Sequence, residues 1–167
     1  MTRERPPLSF DPVEEAARLW GQHWGEVPRM RAVTSLMRVH QLVLAELDDL
    51  LRPLGLTFAR YEVLVLLSFS RRGSLPLGRI GERLQVHATS VTPLVKRLEA
   101  AGLLQRTPHP EDGRAVLASI TAKGRAVMQQ ATDLIVAAQF GLGSLDEGEC
   151  DQLTSLLRTP RTAAGDF

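Results

Sequence analysis

The stretch from Leu75 to Ala115 constrains this chain more than any other. Val91, Leu94, Val95, Leu98 and Ala101 recur at i, i+3, i+4, i+7 and i+10, the spacing that lines one stripe of an α-helix. Gly102 follows where a left-handed residue commonly ends a helix. Leu103–Thr107 and Ala115–Ile120 have strand composition. The connection P-H-P-E-D-G-R between them puts Asp112-Gly113, a hairpin-turn dipeptide, at its tip. Upstream, Leu77–Leu84 predicts a short helix and Gln85-Val86-His87 a turn. Helix, turn, amphipathic helix and hairpin, in that order, describe a winged helix-turn-helix.

The face opposite the apolar stripe is polar. It carries Thr89, Pro93, Lys96 and Ala100, flanked by Ser90, Thr92 and Arg97. Short hydroxyls near the start of a helix reach base edges or phosphates, and cations further along neutralise phosphate. The same face would also serve an ordinary solvated helix. Arg114 beside the hairpin tip suits entry into a minor groove, with Asp112 orienting its guanidinium. His109 in the hairpin either touches phosphate or is a solvated loop residue, and His87 either caps the second helix or contacts DNA. Pro93 tolerates a helix that begins at Thr89 or Ser90, where it falls in the first turn and its missing N–H costs little. A start at Ala88 would place it further in.

The run V-T-P-L-V-K-R-L-E-A-A-G-L-L-Q-R-T-P-H-P-E-D-G-R-A-V-L-A-S-I-T resembles the recognition helix, wing and following strand of the MarR family of bacterial transcriptional regulators. Asp112 and Arg114 meet the D-x-R wing motif of that family, and Gly55–Leu64 resembles the entry to its second helix. The resemblance covers roughly residues 30–158. Pro93 stands where many members have a basic residue. The family implies a mainly α fold with a small β-wing, dimerised through its N- and C-terminal helices. It also implies double-stranded DNA with a palindromic operator as partner, and a small anionic or aromatic effector. The expected DNA-binding residues are His87, Thr89, Ser90, Thr92, Lys96, Arg97, His109, Asp112 and Arg114. The Arg114→Ala variant should weaken binding with the fold intact.

Charge agrees once it is divided along the chain. The 167 residues carry a formal net charge of +1. Thr57–Ala115 holds nine Arg and Lys against five acids, an excess of four, so the remainder is net negative by three. At 44% hydrophobic and 23% charged residues the composition is that of a globular protein. No apolar run reaches the ~18 residues of a membrane span, and M-T-R-E-R-P-P lacks a signal-peptide core. The cytoplasm is the expected location. P-loop, dinucleotide-binding, zinc-protease and nucleophile-elbow motifs are absent from the sequence, so no enzyme activity and no cofactor are expected.

The expected organisation is a disordered tail over 1–10, N-terminal dimerisation helices over 11–56, the winged helix-turn-helix over 57–120, C-terminal dimerisation helices over 121–159, and a tail over 160–167. Asp11-Pro12-Val13-Glu14 predicts a helix start running to about Trp24. Pro28 opens a long helix to about Arg52. Thr57 caps a helix over Phe58–Ser70 whose V-L-V-L-L run belongs to the core. Ser74–Pro76 forms a short strand beside the wing. Thr121 caps a helix to about Phe140, and Ser144-x-x-Glu147 predicts a capping box for a last helix to about Arg158. The terminal helices have more apolar surface than a small winged-helix core can cover, which points to a homodimer.

Effectors in the family lie between the dimer helices and the DNA-binding lobe. Trp20, Trp24, Arg38, His40, Phe58, Tyr61 and Glu62 are the candidates to line such a cleft. Trp20 and Trp24, at i and i+4, suit either an aromatic lid or plain packing, and Glu62 needs a partner such as Arg38 or Arg60 if buried. His23, His40 and Cys150 lie on different predicted helices with no ligand-pair spacing, so no metal is expected. Family members that sense organic hydroperoxides use a cysteine near the N-terminus. Cys150, the single cysteine, is on the last helix and reads as a buried structural residue. A winged-helix protein-interaction module without DNA binding is the alternative reading, and a small hydrolase or metal enzyme a third.

Overall fold

The structure is a computed structural model that describes residues 8–109 and 115–167. The expected disordered tail therefore lies outside the described residues over 1–7. The chain divides into two compact units, residues 1–45 and 46–167.

In the first unit α1 (Pro12–His23) begins as its sequence requires. Asp11 Oδ1 accepts from Val13 N–H at 2.8 Å, Pro12 occupies the first turn, and Glu14 and Glu15 lie at the positive end of the dipole. Gly25 and Glu26, both at positive φ, turn the chain into α2 (Val27–Leu51). An Arg31–Glu14 contact at 3.3 Å links the two helices. Ala17 is buried, whereas Val33, Leu36, Met37, Val39 and Leu42 of α2 are exposed.

The core lies in the second unit. Leu51 at the end of α2, then Val63, Leu64 and Leu67 of α3 (Phe58–Phe69), are fully buried. Each contributes roughly 1.5–3 kcal/mol through loss of apolar surface. Thr57 takes the N-cap position of α3 without capping it by side chain. Its hydroxyl accepts from Arg60 Nε at 3.2 Å instead, and Asp48 Oδ1 accepts from Phe58 N–H at 2.7 Å. The carboxylate from the preceding helix is the stronger acceptor and sits at the positive end of α3.

Three antiparallel strands follow in the order β1-β3-β2: β1 (Ser74–Pro76), β2 (Leu104–Pro108) and β3 (Val116–Ile120). Leu75 faces Ala118, and Arg106 faces Ala118 from the other side. Between β1 and β2 lie α4 (Leu77–Leu84) and α5 (Ala88–Ala100). The fold is thus mainly α with a small sheet, a winged helix-turn-helix.

The C-terminal part departs from expectation in three places. Thr121 caps α6 (Ala122–Ala137) as expected, accepting from Gly124 N–H at 2.9 Å, but a 3-10 turn at Gln139–Gly141 replaces the last helical turn. The capping box of α7 (Glu147–Ala163) is Asp146 with Glu149, two residues later than Ser144 with Glu147. Asp146 accepts from Glu149 N–H at 2.8 Å and Glu149 accepts from Asp146 N–H at 3.0 Å. That frame gives the first turn a carboxylate cap and two glutamates. Finally, α7 continues through Pro160, and Asp166 accepts from Arg161 Nε at 2.6 Å, so the last residues fold onto the helix end rather than trail away.

Candidate nucleic-acid interface

α5 is built to present one face. Val91, Val95 and Leu98 are at most 1% exposed and hold the helix on the core. Thr89, Ser90, Thr92, Pro93, Lys96 and Arg97 are all exposed. Neither Lys96 nor Arg97 takes part in an ion pair among the described residues, so both cations are open to phosphate. Glu99, half-buried, is paired instead with Arg106 of β2 at 2.6 Å, which ties the helix to the sheet and removes Arg106 from the unpaired cations.

The helix starts at Ala88, earlier than expected, and the reason is His87. Its Nδ1 accepts from Thr89 N–H at 3.3 Å and lies 2.8 Å from Thr89 Oγ1. An imidazole acceptor in the N-cap position satisfies one of the orphan donors and draws Ala88 and Thr89 into the first turn. His87 thus caps the helix while remaining exposed. Pro93 in consequence lies inside the helix. The Thr89 carbonyl has no N–H four residues on.

The turn before α5 is tight. Gln85 adopts φ 55° and ψ 37°, and the N–H groups of Gln85 and Val86 both donate to the Gly81 carbonyl. The far end is clamped by α6. Gly102, at φ 72°, takes the left-handed conformation that stops the helix. Thr121 Oγ1 donates to the Gly102 carbonyl at 2.8 Å, and Lys123 Nζ donates to the Ala101 carbonyl at 2.8 Å. Gly124 permits the approach, since a Cβ there would fall 2.0 Å from the Leu103 carbonyl oxygen.

The hairpin tip, with Asp112 and Arg114, lies outside the described residues. Below it His109 N–H donates to the Ala115 carbonyl at 3.0 Å, so the two strands are still joined there, and His109 is half-buried.

The candidate effector residues fall in both units. In the first, Trp20 and Trp24 stack obliquely with centroids 4.8 Å apart, and Arg38 and His40 are exposed. A cleft of about 440 Å³ there is lined by Trp20, Met30, Val33 and Thr34 but not by Trp24, Arg38 or His40. In the second unit Tyr61 is buried, with its hydroxyl 3.0 Å from Thr132 Oγ1, and its ring lies 6.0 Å from that of Phe58. Tyr61 is therefore a packing residue tying α3 to α6. Glu62 is half-buried, and burial pushes its carboxyl above the usual carboxylate range. Arg60, one candidate partner, donates to Thr57 and to the Gly55 carbonyl instead. Cys150 is half-buried rather than buried, in a cleft beside Glu147 and Asp151. Among the described residues no group of three or more His, Cys, Asp or Glu side chains could hold a metal ion, and no helix is long and apolar enough to cross a membrane.

Comparison with known proteins places this arrangement. The sequence profile of the MarR family matches residues 56–116, from the entry of α3 to the start of β3. The solved structure of Sco5413, a MarR family transcriptional regulator from Streptomyces coelicolor, is 53% identical and superposes with a TM-score of 0.79 over 84% of this chain and 98% of that one. The chain belongs to the MarR family. The organic hydroperoxide resistance transcriptional regulator of Bacillus subtilis is 34% identical over 110 residues, which span 66% of this chain and 73% of the relative. Sco3205, a MarR family regulator of S. coelicolor solved in complex with DNA, shares the fold at 23% identity and a TM-score of 0.74, over 82% of this chain and 92% of that one. This chain is accordingly a DNA-binding transcriptional regulator with a winged helix-turn-helix.

Proposed function

We propose that this MarR-family chain is a ligand-responsive repressor that binds a palindromic operator as a homodimer in the cytoplasm. The exposed face of α5 carries the reading, with its hydroxyls at the N-terminal end and unpaired Lys96 and Arg97 one to two turns further on. Thr89, Ser90 and Thr92 contact base edges or phosphates, Lys96 and Arg97 neutralise the backbone, and Arg114 enters the minor groove from the wing with Asp112 orienting it. His87 contributes indirectly, by fixing where the helix begins.

A twofold dimer sets its recognition helices about one DNA turn apart, ~34–36 Å, which requires an inverted repeat of matching spacing. Exposed apolar side chains on α2 and α7, among them Met37 and Leu156, supply the surfaces that a second copy would cover. A small anionic or aromatic effector acts by shifting the spacing of the two reading heads. One that favours the DNA-incompetent form tenfold weakens operator binding by ~1.4 kcal/mol. The lone cysteine, far along the chain on α7, gives no support to hydroperoxide sensing. Titration with DNA flanking the protein's own coding region, across a range of salt concentrations, tests the reading: specific binding that weakens steeply with salt supports it, and no binding at low salt refutes it.

A further inference from the structure

One cleft of the second unit has a chemistry that the reading face does not use. It has a volume of about 470 Å³ and is lined at the end of α3, along the loop into β1 and on α4 by Phe69, Arg71, Arg72, Ser74, Leu75 and Arg83. None of these residues belongs to α5 or to the β2–β3 hairpin.

Two features of the lining lack an explanation in the fold. Arg71, Arg72 and Arg83 have no ion pair among the described residues, although Arg79 on the same helix as Arg83 is matched with Glu82 at 2.9 Å. A further guanidinium, that of Arg125, presses on the loop closely enough that a Cβ at Gly73 would meet its Nη2 at 2.2 Å. Convergent cations without a counterion repel one another, and an anion seated among them relieves the repulsion and accepts forked hydrogen bonds. The second feature is the ring of Phe69, which is 82% exposed at the rim. A large apolar side chain held in water beside guanidinium groups offers a planar surface for stacking. The cleft is of the size that small ligands occupy.

We propose that this cleft binds a nucleotide, its phosphate oxygens held by Arg71, Arg72 and Arg83 and its base laid against Phe69. The site stands independently of operator recognition, since the small-molecule measurements involve no DNA.

Calorimetric titration of the full chain with adenosine monophosphate, inorganic phosphate and adenosine is compared among the wild type, the Arg71→Ala/Arg72→Ala double variant and Phe69→Ala. All three substituted side chains are exposed, and circular dichroism checks that the fold is kept. For a free nucleotide, adenosine monophosphate saturates, inorganic phosphate binds more weakly and adenosine fails. The double variant then weakens the monophosphate by about tenfold or more, and Phe69→Ala removes its advantage over phosphate. Monophosphate binding that the double variant leaves intact overturns the proposal. So does the absence of saturation by adenosine monophosphate at millimolar concentration.

Discussion

Replacing His87 by Ala removes the acceptor that fixes the start of α5, and should cost about 1 kcal/mol of stability. The His87→Asn variant keeps a short acceptor at the cap position and should recover most of that loss. Urea midpoints for the three proteins would show it, and equal midpoints for wild type and His87→Ala would mean that the cap contributes nothing. Glu62 works in the opposite direction. Burial raises its carboxyl above the unfolded value, so the ionised form opposes folding at neutral pH, and that opposition fades as pH falls through the raised value. The Glu62→Gln variant should therefore be more stable than wild type near pH 7, with the difference vanishing below about pH 4, where the unfolded carboxyl is protonated too. Unfolding curves that stay parallel from neutral to acid would contradict this.

Pro93 makes α5 a test of how helix geometry serves reading. Inside the helix it deprives the Thr89 carbonyl of a partner and crowds the preceding turn. The Pro93→Ala variant should gain on the order of 1–3 kcal/mol, the range set by proline's cost in a helix interior, and raise Tm by several degrees. If the proline shapes the reading face, operator affinity falls in that more stable variant, and anisotropy measurements would register it. Much of this element was legible in the sequence. The apolar spacing of Val91, Val95 and Leu98 has one helical solution, and the face opposite it follows. The start stayed open between Ala88 and Ser90, because a histidine cap depends on one imidazole rotamer rather than on composition. Asp48 capping α3 from ten residues upstream was hidden for the same kind of reason, an interaction between elements rather than along one. In α7 two overlapping boxes competed, and only local geometry selects Asp146 over Ser144.

The molecule as a whole leaves apolar surface that its own core does not absorb. On α2, Val33, Met37 and Leu42 are between 52% and 58% exposed, and Leu156 of α7 is 73% exposed. Light scattering should give twice the chain mass, and Met37→Glu should shift the protein toward monomer and weaken operator binding, because a single head grips only one half-site. A monomeric wild type would sink the twofold operator with it. The proposed effector cleft is the part least visible from sequence. Tyr61, one of its candidate residues, is buried with its hydroxyl 3.0 Å from Thr132 Oγ1, a long-range contact that no local pattern announces.

On the proposed function, the exposed face of α5 grips DNA through the unpaired cations Lys96 and Arg97. The most direct test measures binding to DNA flanking the coding region across a salt series, for wild type and for Lys96→Ala/Arg97→Ala. The wild type should show affinity falling linearly with salt on logarithmic axes, and the double variant a slope shallower by ~2, about 0.9 for each phosphate left without its cation. A variant that binds with the wild-type slope and affinity would mean that the exposed face of α5 is not the face that touches DNA.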